Sequence, residues 1–348
     1  MVFPGDSTIE FIDVPDPVAG IGEVVIEIKA SGLCGSDLHF YHYRAAPGVN
    51  RHPRVASPSG RIIAGHEPCG VVAEVGPSVD PALASVGDRV MVHHYWGCTR
   101  CRHCRIGWPQ MCETQMPRMY GMTDHGAHAP FLKVPAATVI PMPEDLSFLA
   151  GAAISCSAGT AFEALMRVNP SGKDTIAVFG QGPVGLATSQ IAAGLGARVI
   201  ALDVNPERLE LAKRIGADVV LNPDKIDAAE ALRDLTGGRG ADYVIETSGV
   251  SSARSEGIDA LRPWGKILLL AGGSALEFGD VDLITTRQIG IEGSWTFSSV
   301  SQAECARFVV EKNIHLDALY THTWSIEQAA EGYERFAKQT DGKAALVF

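Results

Sequence analysis

Residues Thr175–Gly185 read Thr-Ile-Ala-Val-Phe-Gly-Gln-Gly-Pro-Val-Gly and run directly into Leu186-Ala-Thr-Ser-Gln-Ile-Ala-Ala. Apolar, partly β-branched residues up to Phe179 predict a buried strand, and the apolar stretch from Pro183 predicts a helix. The turn between them is G-x-G-x-x-G in the setting that gives the pattern meaning. Gly180 permits the tight turn, Gly182 lets a pyrophosphate approach the backbone, and Gly185 lets the helix pack closely on the strand; Pro183 and Val184 fill the helix's first turn. Phosphates then sit at the positive helix N-terminus.

A second predicted strand, Arg198–Leu202, ends at Asp203, 18 residues beyond Gly185. A carboxylate there accepts hydrogen bonds from an adenosine ribose and repels a 2′-phosphate, so NAD is expected over NADP. The plainer use of Asp203 is to cap the helix beginning at Pro206. Arg208 lines the adenosine side or belongs to a solvated helix face.

Outward from this turn the pattern continues as strands alternating with helices. Strands are expected at Thr175–Phe179, Arg198–Leu202, Val219–Leu221, Tyr243–Glu246, Lys266–Leu270 and Ile289–Glu292, with helices at Pro183–Leu195, Pro206–Ile215, Ala228–Leu235 and Ser252–Leu261. Such spacing implies βαβ units in a doubly wound parallel sheet. The first ~145 residues differ: short β-branched runs bounded by Gly and Pro at Ile21–Lys29, Glu67–Val75 and Val86–Val92 predict a β-rich region with long loops and no long helix before about Leu146. The tail from about Trp295 holds one or two helices and a final apolar Ala344–Phe348, expected to pack back on the first region. The class is therefore α/β with two domains, as 348 residues suggest.

Composition narrows the function. The net charge of −11 argues against a nucleic-acid partner, and no apolar run approaches the ~18 residues of a membrane span. Residues Met1–Thr8 carry no secretory signal, so a reducing cytoplasm is the expected location, where cysteines serve as metal ligands or nucleophiles more often than as disulfides.

Four of the eight cysteines lie in Cys98-Thr-Arg-Cys101-Arg-His-Cys104 and Cys112. Four thiolates satisfy tetrahedral Zn²⁺ with no position open, which makes a structural site; an iron–sulfur cluster or free thiols are the alternatives. A second, dispersed set comprises Cys34, within Gly32-Leu-Cys-Gly-Ser-Asp-Leu-His39, His66 and Glu67 in Gly65-His-Glu, and Cys156 in Ile154-Ser-Cys-Ser-Ala-Gly-Thr160. No spacing proves that these meet, and a single buried cysteine is ordinarily a small core residue. Two thiols and an imidazole beside a nucleotide domain nevertheless suit a Cys2His catalytic zinc with one open position. Cys69 and Cys305 are left as packing residues.

These segments, in this order and over essentially the whole chain, resemble the zinc-dependent medium-chain dehydrogenase/reductase family of alcohol and polyol dehydrogenases. The resemblance implies a GroES-like catalytic domain at 1–156 and 296–348, carrying both zinc sites, and a Rossmann NAD-binding domain at 157–295. It implies catalytic zinc on Cys34, His66 and Cys156, with Glu67 beside it or exchanging onto it. Asp37 would orient the ligand imidazole. Ser36 would relay a proton towards His39. Thr160 and Val184 would line the nicotinamide, and Lys343 would lie near the pyrophosphate.

The implied reaction is reversible oxidation of a secondary alcohol, diol or polyol to a ketone or aldehyde, with hydride passing to NAD and two Zn²⁺ per subunit. The partners would be a small alcohol or ketone and further copies in a homotetramer, or a dimer. A zinc-free quinone or enoyl reductase and a catalytically idle nucleotide-binding protein are the competing readings. Cations of the Tyr41–Ile62 segment (His42, Arg44, His52, Arg54 and Arg61) suit a polar or anionic substrate, and a solvated loop or a subunit contact explains them at least as well; the His93-His94 pair falls where the family places pocket-wall residues and suits hydroxyl-bearing substrates. Cys156 stands where polyol enzymes usually carry an acid, which leaves polyol and simple secondary alcohol both open.

Overall fold

The computed structural model describes residues 1–43, 61–276 and 281–348. The chain divides into two compact units, Met1–Cys156 with Phe297–Gln339 and Lys343–Phe348, and Ser157–Thr296 with Thr340–Gly342.

In the second unit the strands form one parallel sheet in the spatial order Val219–Leu221, Arg198–Leu202, Thr175–Phe179, Ala241–Glu246, Leu261–Leu269 and Gly290–Gly293. The chain works outward in one direction from Thr175–Phe179 and then returns to build in the other, so the glycine turn lies at the switch point where such sheets bind ligands. The helices Pro183–Gly194, Pro206–Arg214, Ala228–Leu235 and Ser251–Ala260 supply the crossovers. Helices cover the central strands, which explains their near-continuous apolar sequences. Ala177, Phe179, Ile200, Leu202, Val244 and Ile267 form the centre of that core.

The first unit is organised by one long strand, Glu23–Leu33. Along one edge it pairs antiparallel with Pro68–Val75. Along the other, its first half pairs with Phe131–Pro135 and its last residues with Lys343–Val347. The C-terminal strand thus belongs to the N-terminal sheet, whose path runs Tyr320–Ser325, Lys343–Val347, Glu23–Leu33, Pro68–Val75, Arg89–Val92 and Val139–Pro141. Val24, Ile26, Ile28, Val72, Val90, Leu132 and Val134 pack its core.

Helices Phe148–Ile154 and Ser157–Val168 were not expected from the sequence pattern. The β-rich region holds no long helix among the described residues, as expected, but it does hold a short one at Gly35–Tyr41. Its seven residues are too few to display a 3.6-residue period, and its start is fixed by a side chain, the Asp37 carboxylate accepting the Cys34 N–H at 2.9 Å. In the segment read as the substrate mouth, Arg44, His52 and Arg54 lie outside the described residues. Arg61 pairs with Glu10 at 2.9 Å, and His42 meets Ser7. No single helix among the described residues is long and apolar enough to cross a membrane.

Candidate active site and metal centres

The long strand delivers Cys34 at its end, immediately before the short helix that carries Ser36, Asp37 and His39. His66 and Glu67 precede strand Pro68–Val75, and Gly65 takes a φ of +91° that sets the turn into them. Cys156 follows helix Phe148–Ile154, and the hydroxyl of the intervening Ser155 donates to Pro68 O at 2.8 Å, tying that segment to the His66 strand.

These elements bring Cys34, His66, Glu67 and Cys156 together, with one ligand atom from each within 4.8 Å of the others. Cys34 Sγ lies 3.9 Å from Cys156 Sγ, and Cys156 Sγ lies 3.5 Å from His66 Nε2. Tetrahedral bonds of about 2.3 Å to sulfur and 2.0–2.1 Å to nitrogen require separations of about 3.8 and 3.6 Å, so the donors suit zinc. His66 Nδ1 donates to Asp37 Oδ1 at 2.9 Å, which fixes the tautomer and leaves Nε2 for the metal. A second sign of a cation is Glu67 Oε1, wholly buried without a hydrogen-bond partner.

The electrostatics match. A hydrogen bond from Cys156, with the charge of His66, holds the Cys34 thiol well below its ordinary value, while the same Cys34 contact and burial push Cys156 up. Burial works against protonation of His66, but Asp37 and Cys34 outweigh it and raise the imidazole. Burial pushes the Glu67 carboxyl up, and the neighbouring Lys343 ammonium pulls it back down. A metal held by these groups would take the place of the protons they share.

Ser36 is half-buried, its hydroxyl 3.3 Å from both Cys34 Sγ and His66 Nε2. His39 is exposed on the same helix. The Lys343 ammonium is fully buried and lies against Glu67 Oε2, because a cation removed from water needs a carboxylate within reach. Of the two imidazoles read as pocket wall, His93 is bound to Gln302 at 3.1 Å and packs on Phe297. His94 reaches the centre: its ring is 5.4 Å from that of His66, and its Nδ1 donates to Ser155 O at 2.8 Å.

Cys98, Cys101, Cys104 and Cys112 form the other cluster, with Cys98 and Cys104 sulfurs 3.9 Å apart. The Thr114 hydroxyl and the backbone N–H groups of Cys101 and Arg100 bring the Cys98 thiol down to about 7, favouring the thiolate a metal needs. A Cβ on Gly97 would come within 2.6 Å of Cys104 Sγ, so a glycine is required there.

In the second unit, Gly180 has a φ of +88°, and a Cβ on Gly185 would overlap the Gly180 carbonyl. Gly182 is open: the nearest atom to a Cβ there is an Arg208 guanidinium nitrogen at 4.0 Å. Arg208 is held by Asp341 O at 2.9 Å, placing a cation over the turn. Asp203 accepts the Gln181 N–H at 2.5 Å and the Asn205 N–H at 2.8 Å. It does not cap the following helix; Asn205 does, accepting from Arg208 N at 3.0 Å. Each Asp203 oxygen keeps a lone pair for a ribose hydroxyl. Thr160 is buried in helix Ser157–Val168, and Val184 lies in the first turn after Gly182.

Two family patterns match the chain. "Alcohol dehydrogenase GroES-like domain" covers residues 20–144 and "Zinc-binding dehydrogenase" covers residues 183–311. The chain belongs to the zinc-dependent medium-chain dehydrogenase/reductase family. It is 35% identical to the uncharacterized zinc-type alcohol dehydrogenase-like protein YphC of Escherichia coli K12, over 99% of this chain and 97% of that one. It is 31% identical to L-threonine 3-dehydrogenase of Pyrococcus abyssi, over 97% and 94%. Among solved structures, a short chain alcohol dehydrogenase (rspB) of E. coli CFT073 complexed with NADH superposes with a TM-score of 0.86 at 26% identity, over 100% of this chain and 98% of that one. A GroES-like unit with a Rossmann unit is thus the family fold, and the protein is an oxidoreductase of the zinc-type dehydrogenases.

Not foreseen from the sequence are Lys343 as partner of Glu67 and Tyr333, whose hydroxyl lies 3.3 Å from Asp37 Oδ2 and 2.7 Å from His128 Nε2. A lysine before a final apolar strand and a tyrosine within an amphipathic helix carry no local sign of such roles.

Proposed function

We propose that the protein reversibly oxidises a secondary alcohol carrying a neighbouring hydroxyl or other polar group, using NAD and a zinc ion at the Cys34–His66–Cys156 centre. The observation that carries the reading is the clustering of those three donors around a His66 whose Nδ1 is fixed by Asp37. Zinc there would supply Lewis-acid polarisation of the alcohol or carbonyl oxygen.

The chain's own residues do the rest. Asp37 keeps the His66 ring in one orientation and tautomer. The Ser36 hydroxyl, 3.3 Å from two ligand atoms, accepts the alcohol proton, and exposed His39 on the same helix returns it to solvent. Lys343 balances the buried charge of Glu67. His94, its Nδ1 hydrogen engaged by Ser155 and its basicity lowered by burial, is a neutral imidazole whose other nitrogen can accept a hydrogen bond from a second substrate hydroxyl.

NAD is favoured by Asp203, which stands where a 2′-phosphate would be repelled, and by the NADH complex of the similar solved structure. The L-threonine enzyme among the relatives fits the expectation of a polar group beside the reacting carbon. Rates with NAD and NADP over polyols, vicinal diols, amino alcohols, cyclic alcohols and simple primary alcohols test the reading. Turnover of diols or amino alcohols with NAD is expected. Preference for NADP, or for simple primary alcohols, would contradict it.

A further inference from the structure

The Asp37 carboxylate is almost wholly buried and has more partners than His66 alone. Its Oδ2 accepts the Cys34 N–H at 2.9 Å and the Tyr333 hydroxyl at 3.3 Å. Tyr333 sits in helix Ala329–Phe336, fully buried, and its oxygen lies 2.7 Å from His128 Nε2. The Ser31 hydroxyl lies 2.8 Å from His128 Nδ1.

One assignment of hydrogens satisfies every contact. Ser31 donates to His128 Nδ1, His128 Nε2–H donates to Tyr333, Tyr333 donates to Asp37, and His66 Nδ1–H donates to the other Asp37 oxygen. The chain runs from the long strand through the C-terminal helix to the ligand imidazole, and every donor points towards the one carboxylate. Burial keeps His128 neutral, as this arrangement needs. The same ring presses on the ligand loop: a Cβ on Gly65, the residue before His66, would overlap it, and His128 N–H donates to Ala64 O at 2.8 Å.

We infer that Tyr333 and His128 are positioning residues for the metal centre, fixing Asp37 from one side and the Gly65–His66 turn from the other, so that the His66 ligand is held at the geometry zinc requires. A phenylalanine would fill the Tyr333 site equally well for packing. What the hydroxyl adds is a donor on the carboxylate that orients a ligand, and partners of that kind are worth tenfold or more in metal affinity. The inference rests on the proposed zinc centre.

The test counts zinc in wild type, Tyr333→Phe and His128→Gln, follows its release into excess chelator with a colorimetric indicator, and records the visible spectrum of the cobalt-substituted proteins. Wild type is expected to hold two equivalents. In both variants one equivalent should leave about tenfold faster, the other at the wild-type rate, with a shifted cobalt absorption. Release and spectra unchanged in both variants would overturn the inference and leave the zinc centre standing. Acceleration of both equivalents together would overturn it as general loosening of the fold. A wild type holding only the four-cysteine equivalent would overturn the zinc centre and the inference with it.

Discussion

The Lys343 ammonium lies against the Glu67 carboxylate with both side chains fully buried, and the strand that carries the lysine pairs with strand Glu23–Leu33, which Cys34 follows. A buried pair contributes little net stability when formed, but removing one partner strands the other charge. Lys343→Met should therefore lower unfolding free energy by about 3–5 kcal/mol in urea titrations. Adding Glu67→Gln should recover much of it. Strictly additive losses would contradict the pairing.

Ser36→Ala should reduce kcat by about 10²–10⁴-fold, the range for a positioned proton-transfer group, with NADH binding unchanged in fluorescence titration. Wild-type kcat in the variant would remove Ser36 from the proton path.

Asp203→Ser should raise the KM for NAD and relax the discrimination against NADP, because both the ribose acceptor and the charge facing a 2′-phosphate are lost. Steady-state kinetics with both cofactors measures it. An unchanged NAD to NADP ratio would mean that the carboxylate serves only the Gln181 and Asn205 backbone.

Burial holds His93 down to about 4 and His128 down to about 3. An unfolded histidine titrates near about 6.5, so below that pH the unfolded chain binds protons that the native chain refuses. Stability thus rises with pH and is lost as pH falls from about 6.5 towards 4, by up to about 1.4 kcal/mol per pH unit for each histidine. Urea midpoints at pH 7 and pH 5 measure the slope, and His93→Gln should flatten it. A flat profile in wild type would contradict neutral burial.

Most of the Rossmann unit was legible in the sequence because its strands and the helices from Pro183 onward carry local signs, although its first helix, Ser157–Val168, went unread. Thr175–Phe179 is apolar throughout, Gly180–Gly185 has a required spacing, and Pro183 and Pro206 each occupy a helix start. The metal ligands were legible as residues but not as a site, since nothing in the spacing of Cys34, His66 and Cys156 says that they meet. The Gly35–Tyr41 helix was too short to show a period. The outer supports were not legible: Tyr333 meets Asp37 across 296 positions and His128 across 205, and each residue alone reads as ordinary packing. Such pairings are decided by where the sheet brings the C-terminal segment home.

Zinc stoichiometry, turnover and NADH binding, measured together in wild type and His66→Ala, test the catalytic zinc centre most directly. Two zinc per wild-type chain are expected, and in the variant one zinc, no turnover and retained NADH binding. One zinc in wild type, with turnover surviving exhaustive chelation, would contradict that centre.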